Sequence, residues 1–414
     1  MLRKWFETKL WKRILIALIL GVIVGTLIGD AAENIKWIGD VFIKLIRMIV
    51  VPLIFVTLVS GVVAMGSPKK LGSIGIKTMA LYLGTTAIAI TIGLFLAAII
   101  QPGNGVSITG GDPQHLEAAM PLGERMMNII PSNPVAALAE GDILAVIFFA
   151  LIFGIGIMLA EEKAKPVAAV MDSAAEVVLK ITHLIMEVAP FGVFALIAAV
   201  AGTKGASALL DVLPLAATII AGCLLHVILT HGGLIRVVLG LPAIRFFKDI
   251  IDAQLVAFST SSSSATMPVT IAVAEDNLGI KSSVASSVIP LGATINMDGT
   301  AIYVGVVAVF TAQSFGIDLQ LGDYALIALT TTIASIGTAA VPSASLFLLA
   351  GVLGVMGISA DQTAIVVGFL LPFDRPLDMI RTTVNVTGDL AVCTAVATWE
   401  GEIDRAEFRR DPNV

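Results

Sequence analysis

The chain has 414 residues, 57% of them hydrophobic and only 14% charged, with a mean hydropathy of +0.97. That balance excludes an ordinary soluble enzyme and reads as an all-α polytopic membrane protein. The formal net charge of −6 says little by itself, because the placement of charge between spans matters more, and it gives no reason to expect a nucleic-acid partner.

Met1–Arg13 is basic, with Arg3, Lys4, Lys9, Lys12 and Arg13, and runs straight into Ile14–Ile28. No small-residue cleavage site follows, so the segment reads as a first span with a cytoplasmic N-terminus rather than a signal peptide. A second span covers about Ile38–Ala64 and a third about Ile74–Ile100, separated by the basic turn Ser67-Pro-Lys-Lys70. Gln101–Gly141 is the longest polar stretch, Gly- and Pro-containing and acidic, and suits an external loop. A fourth span follows at about Ile143–Ala160. A fifth starts amphipathic near Ala174 and becomes fully apolar at Phe191–Val200, and a sixth runs about Ala208–Ile235.

The pattern then changes. Phe246–Phe258 and Ala265–Ala274 are apolar runs of only about 13 and 10 residues, against the ~20 that a full crossing needs. Between them lies Ser259-Thr-Ser-Ser-Ser-Ser264, so the unit predicts a re-entrant hairpin with a serine-rich tip. A seventh span, about Val284–Thr311, is interrupted by Asn296-Met-Asp-Gly-Thr300. A second hairpin is expected from Tyr324–Ala334, the tip Ser335–Ser343 and Ala344–Val355. The eighth span contains Leu371–Asp389, and the tail carries Arg405, Arg409 and Arg410, placing it in the cytoplasm. Eight spans with two opposed hairpins give inverted repeats, with a binding site at the midplane.

The eighth span holds Asp374, Arg375, Asp378, Arg381 and Asp389. A charge at bilayer depth costs about 2.5–3.5 kcal/mol even on the lenient insertion scale, so these residues face protein or a watery cavity. Asp374, Asp378, Arg381, Asn385 and Asp389 follow at steps of four, three, four and four, which keeps them within ~80° of one helix face. Arg375 lies just off the stripe. Ion pairs that merely hold helices together are the plainer alternative. The planar fork of Arg381 matches a carboxylate, half-helix N-termini at the two tips add N–H donors, and Asp378 suits an ammonium group. A ligand with two carboxylates and an amine satisfies them together. Asp298 and Asp389 each stand in or beside an Asn-x-x-Gly context, where unwound backbone is expected to expose carbonyls. Such an all-oxygen set favours a hard cation, with sodium the natural candidate. Thr85 and Thr86 are open to a simpler reading, back-bonding within the third span. The two cysteines, Cys223 and Cys393, show neither a disulfide framework nor metal-ligand spacing. His115, His183, His226 and His231 are scattered and read as structural or loop-borne rather than as ligands.

Taken jointly, Ser261-Ser-Ser-Ser264, Asn296-Met-Asp-Gly-Thr300, Gly337-Thr-Ala-Ala-Val-Pro342 and Asp378-Met-Ile-Arg-Thr-Thr-Val-Asn-Val-Thr-Gly-Asp389 resemble the dicarboxylate/amino acid:cation symporter family over nearly the whole chain. The likeness is greatest to prokaryotic sodium-coupled glutamate/aspartate transporters. The resemblance implies a homotrimer in the cell (inner) membrane that takes up acidic amino acids with sodium, by an elevator movement and with no organic cofactor. Residues 1–70 would supply scaffold spans one and two, 71–101 the third span of a transport domain, and 102–202 the external loop and scaffold spans four and five. Residues 203–398 would complete the transport domain, and 399–414 would form the tail.

By the same resemblance, Arg381 and Thr300 would hold the side-chain carboxylate, and Asp378 and Thr382 the amine. Asn385, Ser263, its neighbour Ser262 and the backbone at Val341 would hold the α-carboxylate. Asp389 with carbonyls of Gly292, Asn296 and Asn385 would form one sodium site. Thr294 with carbonyls of Ser335, Ile336 and Thr338 would form a second, and Tyr82, Thr85, Thr86, Asn296 and Asp298 a third. Proton-coupled relatives tend to carry Asn at the position of Asp389 and Leu at that of Met297. Archaeal relatives often carry Arg where this chain has Ser261. Arg375 appears here instead, and is expected to reach toward the serine tip and Asp378. The rival readings are a C4-dicarboxylate or proton-coupled glutamate symporter, a neutral amino-acid carrier, an anion channel, and an intramembrane serine hydrolase. The last lacks a histidine after His231 to serve as base.

Overall fold

The computed structural model describes residues 10–64, 68–106, 127, 130–205, 210–336 and 345–408. Among these the chain is helical, with one isolated antiparallel bridge between Ile280 and Ile403. Among the described residues five stretches are long and apolar enough to cross a membrane: Lys12–Phe42, Ser73–Ile100, Glu161–Thr203, Val212–Val238 and Ser282–Ser314. Val51–Val63 and Ala145–Leu159 are shorter apolar helical segments. Helix is what such sequence must form in lipid, since it satisfies its backbone polar groups internally.

The first group of helices packs through small side chains. α1 (Leu10–Ile28), α2 (Lys36–Ala64), α5 (Ile143–Leu159) and the long α6 (Lys165–Lys204) lie against one another, α6 running along both α1 and α2. A short helix, α4 (Pro134–Glu140), capped by the Asn133 side chain, leads into α5. Gly25 backs onto the Ala198 carbonyl so closely that a Cβ would have no room, the kind of approach that drives helix association where lipid is as apolar as the protein. The buried Arg13 makes a bidentate pair with Glu187 at 2.7 and 3.0 Å, fixing α1 to α6. The fifth helix begins at Lys165, not near Ala174: Pro166 sits in its first turn, where a proline's missing N–H costs nothing.

The second group carries the polar residues. α3 (Pro68–Ile100) and α7 (Val212–His226) flank it, and α7 continues through two π turns, Val227–His231 and Leu234–Val238. The run Phe246–Phe258 is divided at Ile250 into α8 (Ala243–Asp249) and α9 (Ile251–Thr260), instead of forming one half-helix. α9 packs on α10 (Ser263–Ala272) across a turn in which Ser261 takes a left-handed conformation, φ 52°. α11 (Ser282–Ile295) and α12 (Asp298–Ser314) are two helices separated at Asn296–Met297, as the interruption of the seventh span anticipates. α13 (Leu321–Ile336) and α14 (Ser345–Val355) pack on each other, and the tip 337–344, with Thr338 and Val341, lies outside the described residues.

α15 (Ala360–Glu400) is a single helix of 41 residues with a capping box at Ser359 and Gln362 and a left-handed stop at Gly401. It touches α9, α11, α12 and α14. The expected unwinding beside Asn385 and Gly388 is therefore absent, and the carbonyls there remain in a helical ladder. Ser73 and Lys77 of α3 bond the Glu400 carboxylate at 2.6 and 2.7 Å, tying α3 to the end of α15. A last short helix, α16 (Arg405–Phe408), follows the Ile280–Ile403 bridge.

Candidate functional site

The stripe on α15 is buried: Asp374, Asp378, Arg381, Asn385 and Asp389 are all shielded from solvent by the helices around them. At its N-terminal end the charges meet within one helix. Arg381 Nη2 donates to Asp374 Oδ1 and to Asp378 Oδ1, both at 2.9 Å. Its guanidinium carbon lies 3.8 Å from the centroid of the Tyr303 ring on α12, a cation–π contact made stronger by desolvation. Nε and Nη1 of Arg381 are buried and have no hydrogen-bond partner among the described residues. Leaving such donors unpaired costs of order 1–3 kcal/mol each, more at a charged group, so this end of the stripe is built to accept a further acceptor.

The serine tip comes to the same place. Ser262 caps α10, its Oγ accepting from Ala265 N at 3.1 Å. Arg375 joins tip and stripe: Nη2 reaches the Thr260 carbonyl at 3.5 Å and Nη1 lies 3.7 Å from Asp378 Oδ2. Ser263 and Thr300 are buried at the first turns of α10 and α12. Thr382 Oγ1 bonds back to the Asp378 carbonyl at 2.8 Å.

Asn385 has a different occupation from the one the resemblance implies. Its Oδ1 accepts from Gly299 N at 2.8 Å, acting from another helix as the cap that α12 otherwise lacks. Its Nδ2 approaches Met297 Sδ at 3.3 Å. Both halves of the amide are thus committed to holding the break at Asn296–Met297 against α15.

The C-terminal end of the stripe joins α15 to α11. Asn296 Nδ2 donates to the Asn385 carbonyl at 2.9 Å and to Asp389 Oδ1 at 3.0 Å. Gly292 lies directly beneath, where a side chain would collide with both Asp389 Oδ1 and Tyr82 Oη. The Gly292 carbonyl accepts from Asn296 N at 2.9 Å, and Tyr82 Oη donates to the Val288 carbonyl at 3.1 Å. Asp389, Gly292, Asn296 and Asn385 are therefore neighbours. Among the described residues no lysine or arginine pairs with Asp389.

Asp298 lies in the same region, at the start of α12. Thr86 Oγ1 donates to its Oδ1 at 2.6 Å, so Thr86 does not back-bond, whereas Thr85 does, to the Tyr82 carbonyl at 3.1 Å. The second oxygen faces His226 Nε2 at 3.0 Å and His231 Nε2 at 3.7 Å. Neither histidine is loop-borne, and their convergence on Asp298 was not readable from their spacing. Tyr303 is the other residue missed, since only the crossing of α12 and α15 puts it under Arg381. Of Thr294, Ser335, Ile336 and Thr338, the last lies outside the described residues; Thr294 Oγ1 bonds Leu291 O and Ser335 Oγ bonds Thr332 O, each within its own helix.

A profile of the Sodium:dicarboxylate symporter family matches residues 10–399. Over 410 residues the chain is 35% identical to a proton/sodium-glutamate symport protein of Geobacillus stearothermophilus, with 96% of each chain covered. It is also 35% identical over 403 residues to a proton/glutamate-aspartate symporter of Bacillus subtilis, again with 96% of each covered. A C4-dicarboxylate transport protein of Rhodospirillum rubrum is 34% identical over 419 residues, spanning 97% of this chain and 90% of the relative. A buried arginine with spare donors, set among buried acids inside apolar helices, is chemistry for carrying charged solutes, and with full-length relatives of that kind the chain belongs to the sodium:dicarboxylate symporter family, as an integral membrane transporter and not an enzyme.

Proposed function

We propose that this transporter takes up acidic amino acids, aspartate or glutamate, together with sodium. One observation carries the reading: two buried nitrogens of Arg381 await an acceptor while two buried carboxylates nearby, Asp389 and Asp298, have no arginine or lysine partner. A substrate carboxylate completes the first, and a mobile cation neutralises the second. Thr300 and Ser263 stand at helix N-termini that face anions favourably. In this reading Asp378 turns from Arg381 toward the substrate amine, with Thr382 beside it, and Ser262, Ser263 and Val341 receive the α-carboxylate, joined by Asn385 once its amide leaves Gly299 and Met297. Asp389, Gly292, Asn296 and Asn385 surround one sodium. Tyr82, Thr85, Thr86, Asn296 and Asp298 surround another, and Thr294, Ser335, Ile336 and Thr338 a third.

The wider architecture belongs to the same proposal: eight spans and two re-entrant hairpins, both termini in the cytoplasm of a cell-membrane homotrimer, and a transport domain of residues 71–101 and 203–398 moving against the rest as an elevator. The preference of α6 for α1 and α2, apart from the polar helices around α15, supports such a division.

A second reading has its own support. Asp378 is already neutralised by Arg381 and approached by Arg375, so a substrate without an amine strands no charge. That observation favours a C4-dicarboxylate, as in the Rhodospirillum rubrum relative. Titration calorimetry of the purified protein with aspartate, glutamate and succinate, with and without sodium, separates the two. Tight, sodium-dependent binding of an amino acid and weak binding of succinate is the expected result. Succinate binding as tightly as aspartate would replace the first reading with the second.

A further inference from the structure

His226 and His231 form a cluster with Asp298, and the transport chemistry above leaves the two histidines unexplained. All three side chains are fully buried. The imidazoles meet edge to face with ring centroids 4.6 Å apart, and both turn Nε2 to the same carboxylate oxygen, at 3.0 and 3.7 Å. The Asp298 carboxylate is held from the other side by Thr86. His231 has neither ring nitrogen hydrogen-bonded to a described residue, a costly arrangement for a buried imidazole.

The backbone is arranged to produce this meeting. Residues five apart on an α-helix point about 140° away from each other. Between His226 and His231 the chain forms a π turn, with Gly232 N bonded to the Val227 carbonyl. Its i→i+5 pattern brings the second imidazole round to the first, and π turns of this kind recur at functional sites. Gly388 of α15 leaves the room: a Cβ there would collide with Asn296 Nδ2 and crowd His231 Cε1.

We propose that His226 Nε2, His231 Nε2 and Asp298 Oδ2 form a binding site for a divalent transition-metal cation such as zinc or cobalt. One ligand atom from each of the three residues lies within 4.8 Å of the other two, and each Nε2 faces Asp298 Oδ2. Metal bonds of about 2.0–2.1 Å in a tetrahedron place ligand atoms roughly 3.3 Å apart, between the two separations observed. Two imidazoles and one carboxylate suit zinc, cobalt or nickel, whereas sodium prefers oxygen throughout. Nδ1 of neither ring has a partner among the described residues, so both rings can carry their proton there and present Nε2 as a lone pair. If Asp298 also serves a coupling cation, as proposed above, the bound metal competes with it and slows transport; the site itself does not depend on that reading.

The test is direct binding to the purified full-length protein in sodium-free buffer, followed by cobalt(II) absorption and zinc calorimetry. One high-affinity ion per chain is expected, with the intense visible band of four-coordinate cobalt. His226→Gln and His231→Gln should each weaken binding by about 100-fold or more, while His183→Gln should bind as wild type. Elution as a monodisperse peak checks that the variants fold. X-ray absorption of the wild-type zinc complex needs no variant, and two imidazole nitrogens in the coordination shell are expected. Absence of binding, an all-oxygen shell, or undiminished binding in the His226→Gln/His231→Gln double variant would each overturn the proposal.

Discussion

The two ends of the polar stripe on α15 solve the problem of buried charge in opposite ways. At the Arg381 end a fixed cation sits between two fixed anions, Asp374 and Asp378, all from one helix and all within hydrogen-bond reach. Unsatisfied there, among the described residues, are two donors of the fixed cation, Nε and Nη1 of Arg381, together with one acceptor, Asp374 Oδ2. At the Asp389 and Asp298 end the anions are fixed and their partners are neutral or titratable: an amide, a hydroxyl and two imidazoles. What remains unsatisfied there is negative charge. Burying a carboxylate without a cation is expensive, and a protein that must release its cations cannot supply them as lysine or arginine. On the proposed reading, the difference gives a mobile anion to one end and mobile cations to the other, which is the division of labour a symporter needs.

The comparison breaks most severely at Arg381. Replacing it by Thr or Cys leaves Asp374 and Asp378 as an unpaired buried pair and removes the acceptor-seeking nitrogens. Losing one partner of a buried charged contact costs 2–5 kcal/mol, so acidic-substrate affinity should fall by about 100-fold or more, with some binding of neutral amino acids retained. Calorimetry with aspartate and serine checks this. Unchanged aspartate affinity would remove Arg381 from the site.

At the other end, Asp389→Asn keeps the shape and deletes the charge. Sodium affinity should fall, and substrate affinity at limiting sodium should fall with it, because the binding of the two ligands is coupled. A coupling of 1–3 kcal/mol, typical of such linkage, corresponds to roughly 5–150-fold. Sodium titrations at fixed aspartate, and aspartate titrations at fixed sodium, give the two factors separately. Unchanged sodium affinity in Asp389→Asn would remove Asp389 from the cation site.

Arg375 sharpens the comparison, because it is the second cation at the Arg381 end. Arg375→Ala should reduce transport by roughly 10-fold, the order expected of a partly buried ion pair, and adding Ser261→Arg should return part of it. Ser261 is buried and its hydroxyl has no partner among the described residues, so a guanidinium placed there enters the same small space from the tip. A double variant no more active than Arg375→Ala, with both well folded, contradicts a shared role. The smallest effect is expected at Ser262, whose hydroxyl caps α10: Ser262→Ala should cost about 1 kcal/mol of stability, measured by thermal unfolding in detergent, and should lower aspartate affinity less than any of the changes above.

The sequence made one end of this comparison more legible than the other. Asp374, Asp378, Arg381, Asn385 and Asp389 could be placed on one face because they share a helix and its period. The break at Asn296–Met297 was also readable, since Asn-Met-Asp-Gly interrupts an apolar run. The same logic misled at Asn385–Gly388, where the helix is unbroken. Gly388 serves the close approach of Asn296 and His231 there, not a change of backbone direction. Asn385, read as a ligand, spends its amide capping α12. Tyr303 and the histidine pair were invisible for a physical reason: one depends on how two helices cross, the other on a π turn that ordinary helical spacing does not reveal. Thr338 and Val341 lie in the tip outside the described residues.

The central claim, that fixed anions at one end of α15 await sodium while Arg381 awaits an acidic substrate, is tested most directly by uptake of radiolabelled aspartate into proteoliposomes under imposed gradients. An inward sodium gradient at equal pH should drive accumulation that collapses when the gradient is dissipated, and a proton gradient without sodium should drive none. Accumulation driven equally well by the proton gradient alone, with sodium absent, would contradict the account.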